Sequence, residues 1–412
     1  MNRAETLFLR CIRLSSHPEE VASFTDADRA ETTDVSGTLC TLAEKHSLIS
    51  GLYEGLCLLD IPLNDEERRY YRDRVTAGAL SCYHMLSFTR KILHILETEH
   101  INYFLLKGVS LLECYPKLEL RPFGDMDILV PAPGDFERLK KHLLSCGFYT
   151  ESSFTEHHLE MYYSEQGRKF LLEIHHKVIA GQANSDFNRQ VKKIFDNISP
   201  QTRNFPAARL NYQTLPVTEN ALYLLLHMLQ HFLGSGFGIK LLWDWTAYLE
   251  RHGEEIEQKK FLSYLKKLGL TRFCHTMTSL CRRYMGLDIR NLTFLTGSFE
   301  DSVFLEAFMS DIFDAGTFGK TDNSRMLIMS GGGKLSRYFK ELHRQMKKRF
   351  QRLCSIPVLW PILWVMTGIC FLWNNYFVRK TKTSEILANA RERQNLIDEL
   401  ALFQRGDDSD ER

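Results

Sequence analysis

The pattern of apolar and polar positions reads as helical over residues 1–100. Asn64 predicts a helix N-cap. Asp65, Glu66 and Glu67 fill the first turn, where the helix dipole favours negative charge. With no proline and only Gly78 to weaken it, this helix is expected to run to Glu99. The pattern then changes. Tyr103–Leu106 is a short apolar run followed by the turn residues Lys107 and Gly108, which predicts a buried strand. Val109–Cys114 fits one or two helical turns, and Pro116 and Pro122 bracket a loop. Met126–Val130 is a second apolar run, interrupted by Asp127 and stopped by Pro131. Asp135–Cys146 sets Phe136, Leu139, Leu143 and Leu144 at helical spacing, with Gly147 as C-cap. Leu159–Tyr163 and Phe170–Ile174 flank Gln166-Gly167 and read as a strand pair joined by a turn. Residues 101–180 thus make a compact α/β unit. From 217 onward the pattern is helical again: Asn220–Leu233, a loop through Gly234, Gly236 and Gly238, then Lys240–Glu250. The charged tail 379–412 predicts a solvated helix with a frayed end, and no internal repeat is present.

Composition narrows the class. A chain of 412 residues has room for two or three domains. At 44% hydrophobic and 25% charged residues it is neither disordered nor a polytopic membrane protein. Lys and Arg number 52 against 51 Asp and Glu, which argues against coating nucleic acid by bulk charge. The core region also has no basic strip interleaved with aromatics, so nucleic acid is the least favoured partner. None of the ten cysteines forms a Cys-x-x-Cys pair, which excludes a zinc ribbon or thioredoxin motif. Residues 1–5 show no apolar run suited to a signal peptide, so a cytoplasmic setting is expected. One segment complicates this. Residues 353–378 carry no formal charge, display Trp360, Trp364, Trp373 and Tyr376, and are flanked by Lys and Arg on both sides. They are expected either to contact an inner leaflet, as a peripheral or single-pass segment, or to pack against the helical region or a partner.

The chemistry concentrates in carboxylates. Asp125 and Asp127 sit at i and i+2, so on a strand they share one face and repel each other. A divalent cation with a taste for oxygen, Mg²⁺ or Mn²⁺, relieves that repulsion. Glu173 repeats the theme inside the apolar run Phe170–Ile174, where an acid is costly without a partner. Three such acids on adjacent strands would hold two cations, an arrangement suited to in-line phosphoryl or nucleotidyl transfer. Upstream, Gly108 allows close backbone approach to phosphate, Lys107 supplies a cation and Arg121 a planar donor. In the helical part, His227 and His231 lie one turn apart. Met228 stands where a zinc protease would need Glu.

The segments Leu105-Leu106-Lys107-Gly108, Tyr115-Pro116, Arg121 to Pro131 and Glu173-Ile174-His175 resemble the uncharacterised nucleotidyltransferase family of the DNA polymerase β-like superfamily. The resemblance covers roughly 80–250. It implies an α+β fold: a small mixed β-sheet core with flanking helices, joined to N-terminal and C-terminal helical regions. It further implies that Asp125 and Asp127 bind metal, that Glu173 is the third acid, and that Lys107 and Gly108 occupy the nucleotide-cradling turn, where the wider superfamily has Gly-Ser. His227, His231, Phe232, Gly236, Gly238, Lys240, Asp244 and Trp245 also look similar to the family, Lys240 standing where Arg is expected. His227, His231, Lys240 and Asp244 are read as contacts to acceptor or nucleotide. His175 and His176 read as a strand edge.

The domain expectation is a helical region at 1–100, the nucleotidyltransferase core at 101–215, a helical acceptor-binding region at 216–330 and a basic and apolar segment at 331–412. The activity expected is metal-dependent transfer of a nucleoside monophosphate from an NTP to a hydroxyl or phosphate acceptor. Two alternatives stand beside it: an Asp-x-Asp glycosyltransferase using a nucleotide sugar, and a non-catalytic nucleotide-binding or antitoxin-like module. Two glycine clusters are set aside. Gly234–Gly238 follows a helix and has Ile239 where a dinucleotide fingerprint needs Gly, and Gly331–Lys334 lacks the remaining P-loop residues and reads as a hinge.

Overall fold

The computed structural model describes residues 1–316, apart from 152–156, 183, 197 and 296–300. Beyond 316 it describes 342–343, 346–347, 349–350, 353–354, 356–373 and 395–403. Four helices lead: α1 (Arg3–Leu14), α2 (Asp26–Asp34), α3 (Ser36–His46) and α4 (Ile49–Leu58). The long α5 (Asp65–Thr98) follows. It starts where its sequence predicts, because Asn64 and Glu67 close a reciprocal capping box. The remaining helices described before residue 316 are α6 (Pro133–Ser145), α7 (Ser185–Phe195), α8 (Val217–Leu233), α9 (Ile239–His252), α10 (Gln258–Leu268), α11 (Thr271–Leu280) and α12 (Ser302–Ala315).

Six strands form one mixed sheet: β1 (Phe104–Leu105), β2 (Asp125–Leu129), β3 (His158–Glu165), β4 (Arg168–His175), β5 (Gln201–Phe205) and β6 (Leu210–Thr214). Their spatial order is β3-β4-β2-β1-β6-β5. β2 runs parallel to β4 and antiparallel to β1, while β1 runs parallel to β6. The α+β class expected from the resemblance is what the chain adopts. The hairpin β3–β4 turns on Gln166 (φ 49°) and Gly167 (φ 75°), a two-residue turn whose twist matches that of the strands. The hairpin β5–β6 has no counterpart in the sequence expectations. Its strands are short, and polar side chains dominate them (Gln201, Thr202, Arg203, Asn204; Asn211, Gln213), so the apolar alternation is weak.

Strand alternation sorts the side chains of the central strands. Met126, Ile128, Leu172 and Ile174 are fully buried, and they pack with Met85, Phe88, Ile92 and Leu96 of α5 and Phe136, Leu139 and Leu143 of α6. A second core joins α1, α3 and α4 to α8–α12, with Trp243 and Trp245 at its centre. Gly55 makes this packing possible: a Cβ there would lie 2.0 Å from the Cys11 carbonyl oxygen, so α1 and α4 approach across a bare backbone.

The apolar stretch 353–378 includes a helix at Trp360–Trp373, 14 residues long. At roughly 1.5 Å per residue it falls short of a hydrocarbon core of about 30 Å. Among the described residues no helix is long and apolar enough to cross a membrane, so the single-pass expectation for 353–378 has no support. The expected hinge at Gly331–Lys334 and most of the tail 379–412 lie outside the described residues.

Candidate active site

The parallel pairing of β2 and β4 decides the geometry of the acids. Asp127 is the register partner of Glu173, and Asp125 that of Leu171. Partners on neighbouring strands point to the same face. Asp125, Asp127 and Glu173 therefore share the face opposite Met126 and Ile128. One oxygen from Asp127, one from Glu173 and one nitrogen from His175 lie within 4.8 Å of one another. His175 Nε2 is 3.1 Å from Asp127 Oδ1 and 3.4 Å from Glu173 Oε2. Two further clusters of the same kind adjoin this one: His158, Glu160 and Glu173, and His157, His158 and His175.

Lys107 binds the aspartate pair. Its Nζ is 2.8 Å from Asp127 Oδ2 and 3.5 Å from Asp125 Oδ2. Asp127 is fully buried. Burial works against its charge, but Lys107 and the hydrogen bond with His175 outweigh that and hold its carboxyl far below the usual range. Burial likewise opposes the Lys107 ammonium, and Asp127 and Asp125 overcome it, keeping its pKa well above an ordinary lysine's. His175 is also raised: burial pulls it down, and the hydrogen bonds to Asp127 and Glu173 prevail.

Arg121 and Asp244 are brought together as a buried ion pair. Arg121 Nε and Nη2 bind Asp244 Oδ1 and Oδ2 at 2.6 and 2.9 Å, and Arg121 Nη1 donates to the Gly108 carbonyl at 3.1 Å. Tyr115 donates its hydroxyl to Asp244 Oδ1 at 2.7 Å. This buried network ties the loop before β2 and the Lys107-Gly108 turn to α9. Gly108 needs its glycine, since its φ is +79°.

Beside this network opens a cavity of about 560 Å³. Lys107, Gly108, Arg121, Asp125, His227, His231 and Lys240 line it, with Ser47, Phe123 and Leu171. Lys240 makes no hydrogen bond or ion pair with any described residue. Burial, with the charge of Arg121, brings its ammonium down to about 8. Burial, followed by the charges of Lys107 and Lys240, takes His231 down to about 4. Burial and His231 put His227 well below its usual value. Two neutral imidazoles and two lysines thus face one space.

Sequence reasoning named Asp125, Asp127, Glu173, Lys107, Gly108, His231 and Lys240, and the fold gathers them around one cavity and the carboxylates beneath it. Four contributors were missed or set aside. His175 read as a strand edge, yet it bridges two of the acids. Tyr115 stands in the Tyr115-Pro116 pair that is similar to the family but carries no chemical signal of its own, Ser47 and Glu160 carry no motif, and only tertiary packing places the three here.

The donor set suits a hard divalent cation. Asp125 and Asp127 share a single ammonium, that of Lys107, and Glu173 adds a third carboxylate next to Asp127, an excess of negative charge that Mg²⁺ or Mn²⁺ would neutralise.

Residues 36–286 match the family model described as "Uncharacterised nucleotidyltransferase". No curated protein and no solved structure matches the chain.

Proposed function

The chain belongs to the uncharacterised nucleotidyltransferase family, and from that premise we propose that it transfers a nucleoside monophosphate from an NTP to a hydroxyl or phosphate acceptor, releasing pyrophosphate. The observation that carries this reading is the register of Asp127 and Glu173 beside a cavity rich in cationic and imidazole groups. Asp125, Asp127 and Glu173 would hold Mg²⁺ (or Mn²⁺), which when bound supplies the positive charge that activates the attacking hydroxyl and neutralises the triphosphate.

The protein's own groups have separable tasks. Lys240, unpaired among the described residues and facing the cavity, binds phosphate oxygens. Lys107 keeps Asp127 ionised in the free protein and turns its ammonium to the phosphates when nucleotide enters. Glu173 receives the proton of the acceptor hydroxyl. Asp244 and Arg121 act through position: their ion pair and the bond to the Gly108 carbonyl set the turn against which the triphosphate lies. His231, neutral at pH 7, offers a hydrogen bond to nucleotide or acceptor.

The test is pyrophosphate release by purified protein with Mg²⁺, each NTP in turn and a small-molecule extract as acceptor source. Turnover by the native chain and its loss by at least about 10²-fold in Asp127→Asn and Glu173→Gln, with folding retained, is the expected result. Nucleotide binding without any pyrophosphate release would return the protein to a binding module.

A further inference from the structure

The sheet face that carries the acids continues into a second constellation that nucleotidyl transfer does not use. Across β2, β4 and β3 the register sets Asp127, Glu173 and Glu160 side by side, and one step further along β4 and β3 it sets His175 beside His158. The first rung is acidic and the second is imidazole. His157, the residue before β3, completes the second: one ring nitrogen from each of His157, His158 and His175 lies within 4.8 Å of the others. His158 Nδ1 and His157 Nε2 are 3.0 Å apart. That is close to the roughly 3.3 Å separating ligands of a tetrahedral ion with metal–nitrogen bonds of about 2.0 Å.

His175 adds an independent observation. Its Nε2 is engaged with Asp127, and its Nδ1 is buried with no hydrogen-bond partner. A buried, unsatisfied ring nitrogen is costly. Metal-binding histidines commonly donate their other N–H to a carboxylate, which fixes the tautomer and leaves the free nitrogen for the ion. Asp127 and His175 already stand in that relation.

We propose that His157, His158 and His175 form a second metal site, selective for a late first-row cation such as Zn²⁺ and separate from the oxygen-lined site of Asp125, Asp127 and Glu173. Imidazole nitrogens favour Zn²⁺ over Mg²⁺, which prefers an all-oxygen shell. The ion fastens the start of β3 to β4 and fixes the orientation of His175. Through the His175–Asp127 hydrogen bond it braces a carboxylate of the neighbouring site. Glu160, within the cluster of His158 and Glu173, provides compensating negative charge.

The test needs neither nucleotide nor turnover, so its outcome is independent of the proposed activity. Full-length protein is stripped with chelator and titrated with Co²⁺ and with Zn²⁺ in excess Mg²⁺. One equivalent should bind. The Co²⁺ form should show the visible bands of a four-coordinate nitrogen and oxygen site without thiolate charge transfer. His158→Gln and His157→Gln should each weaken binding at least tenfold, while Asp125→Asn leaves it unchanged. In the native protein, Zn²⁺ should protect His157 and His158 from diethyl pyrocarbonate, mapped by mass spectrometry, which reads the site even if the variants fold poorly. No binding above Mg²⁺, thiolate charge transfer from the free cysteines, or unprotected histidines would overturn the proposal.

Discussion

Arg121 and Asp244, 123 residues apart in the chain, meet in the interior through two hydrogen-bonded contacts of 2.6 and 2.9 Å. A pair of this kind is expensive to halve, because the remaining charge stays buried and uncompensated. Asp244→Asn should therefore cost about 3–5 kcal/mol in urea denaturation, whereas Arg121→Met combined with Asp244→Leu should recover much of the loss. An unchanged denaturation midpoint together with weakened NTP binding would make Asp244 a direct nucleotide contact.

Lys107 and a cation compete for the same carboxylates. Lys107→Met should raise the affinity for Mn²⁺ without nucleotide by about tenfold, the equivalent of roughly 1.4 kcal/mol of lost repulsion. The same substitution should lower turnover by about 10²–10³-fold, since the phosphates lose a cation. Manganese titration followed by electron paramagnetic resonance separates the two effects. Weaker cation binding in the variant would contradict the competition.

Lys240 loses its proton at about 8, so its positive charge fades as pH rises through that value. If it grips phosphate, kcat/KM for the NTP should fall above pH 8, mainly through KM. Lys240→Arg, with a guanidinium that stays charged, should remove this falling limb. A pH profile identical in the two proteins would assign the limb to another group.

His46 is fully buried beneath the start of α9 and accepts a hydrogen bond from the Ile239 N–H at 3.3 Å. Burial, with the charge of Lys45, brings its pKa down to about 3. An unfolded chain binds this proton near pH 6.5, and the folded chain refuses it until far lower pH. Stability contributed here is thus full above pH 6.5 and declines as pH falls towards 3. Between pH 6.5 and 4.5 the native protein should lose about 2 kcal/mol from this residue. His46→Gln should flatten that part of the curve in denaturation series at each pH.

Local sequence was enough for the features that depend on near neighbours. The capping box at Asn64 and Glu67, the apolar stripe of α6 and the turn at Gln166-Gly167 need only residues a few positions apart. The Asp-x-Asp spacing placed two acids on one face for the same reason. The polar hairpin β5–β6 escaped, because β6 is held by pairing to β1 and β5 by pairing to β6 rather than by a strong apolar pattern of their own.

What charged groups do was decided by the tertiary fold. Arg121 and Asp244 read as two separate ligand contacts, and packing of the turn against α9 joined them as an ion pair. His175 read as an edge residue, and the parallel register of β2 and β4 set it between two acids. Strand and helix propensities act over a few residues, so the sequence carries them openly. The partner of a buried charge is chosen by desolvation, which operates only once distant segments have closed over it.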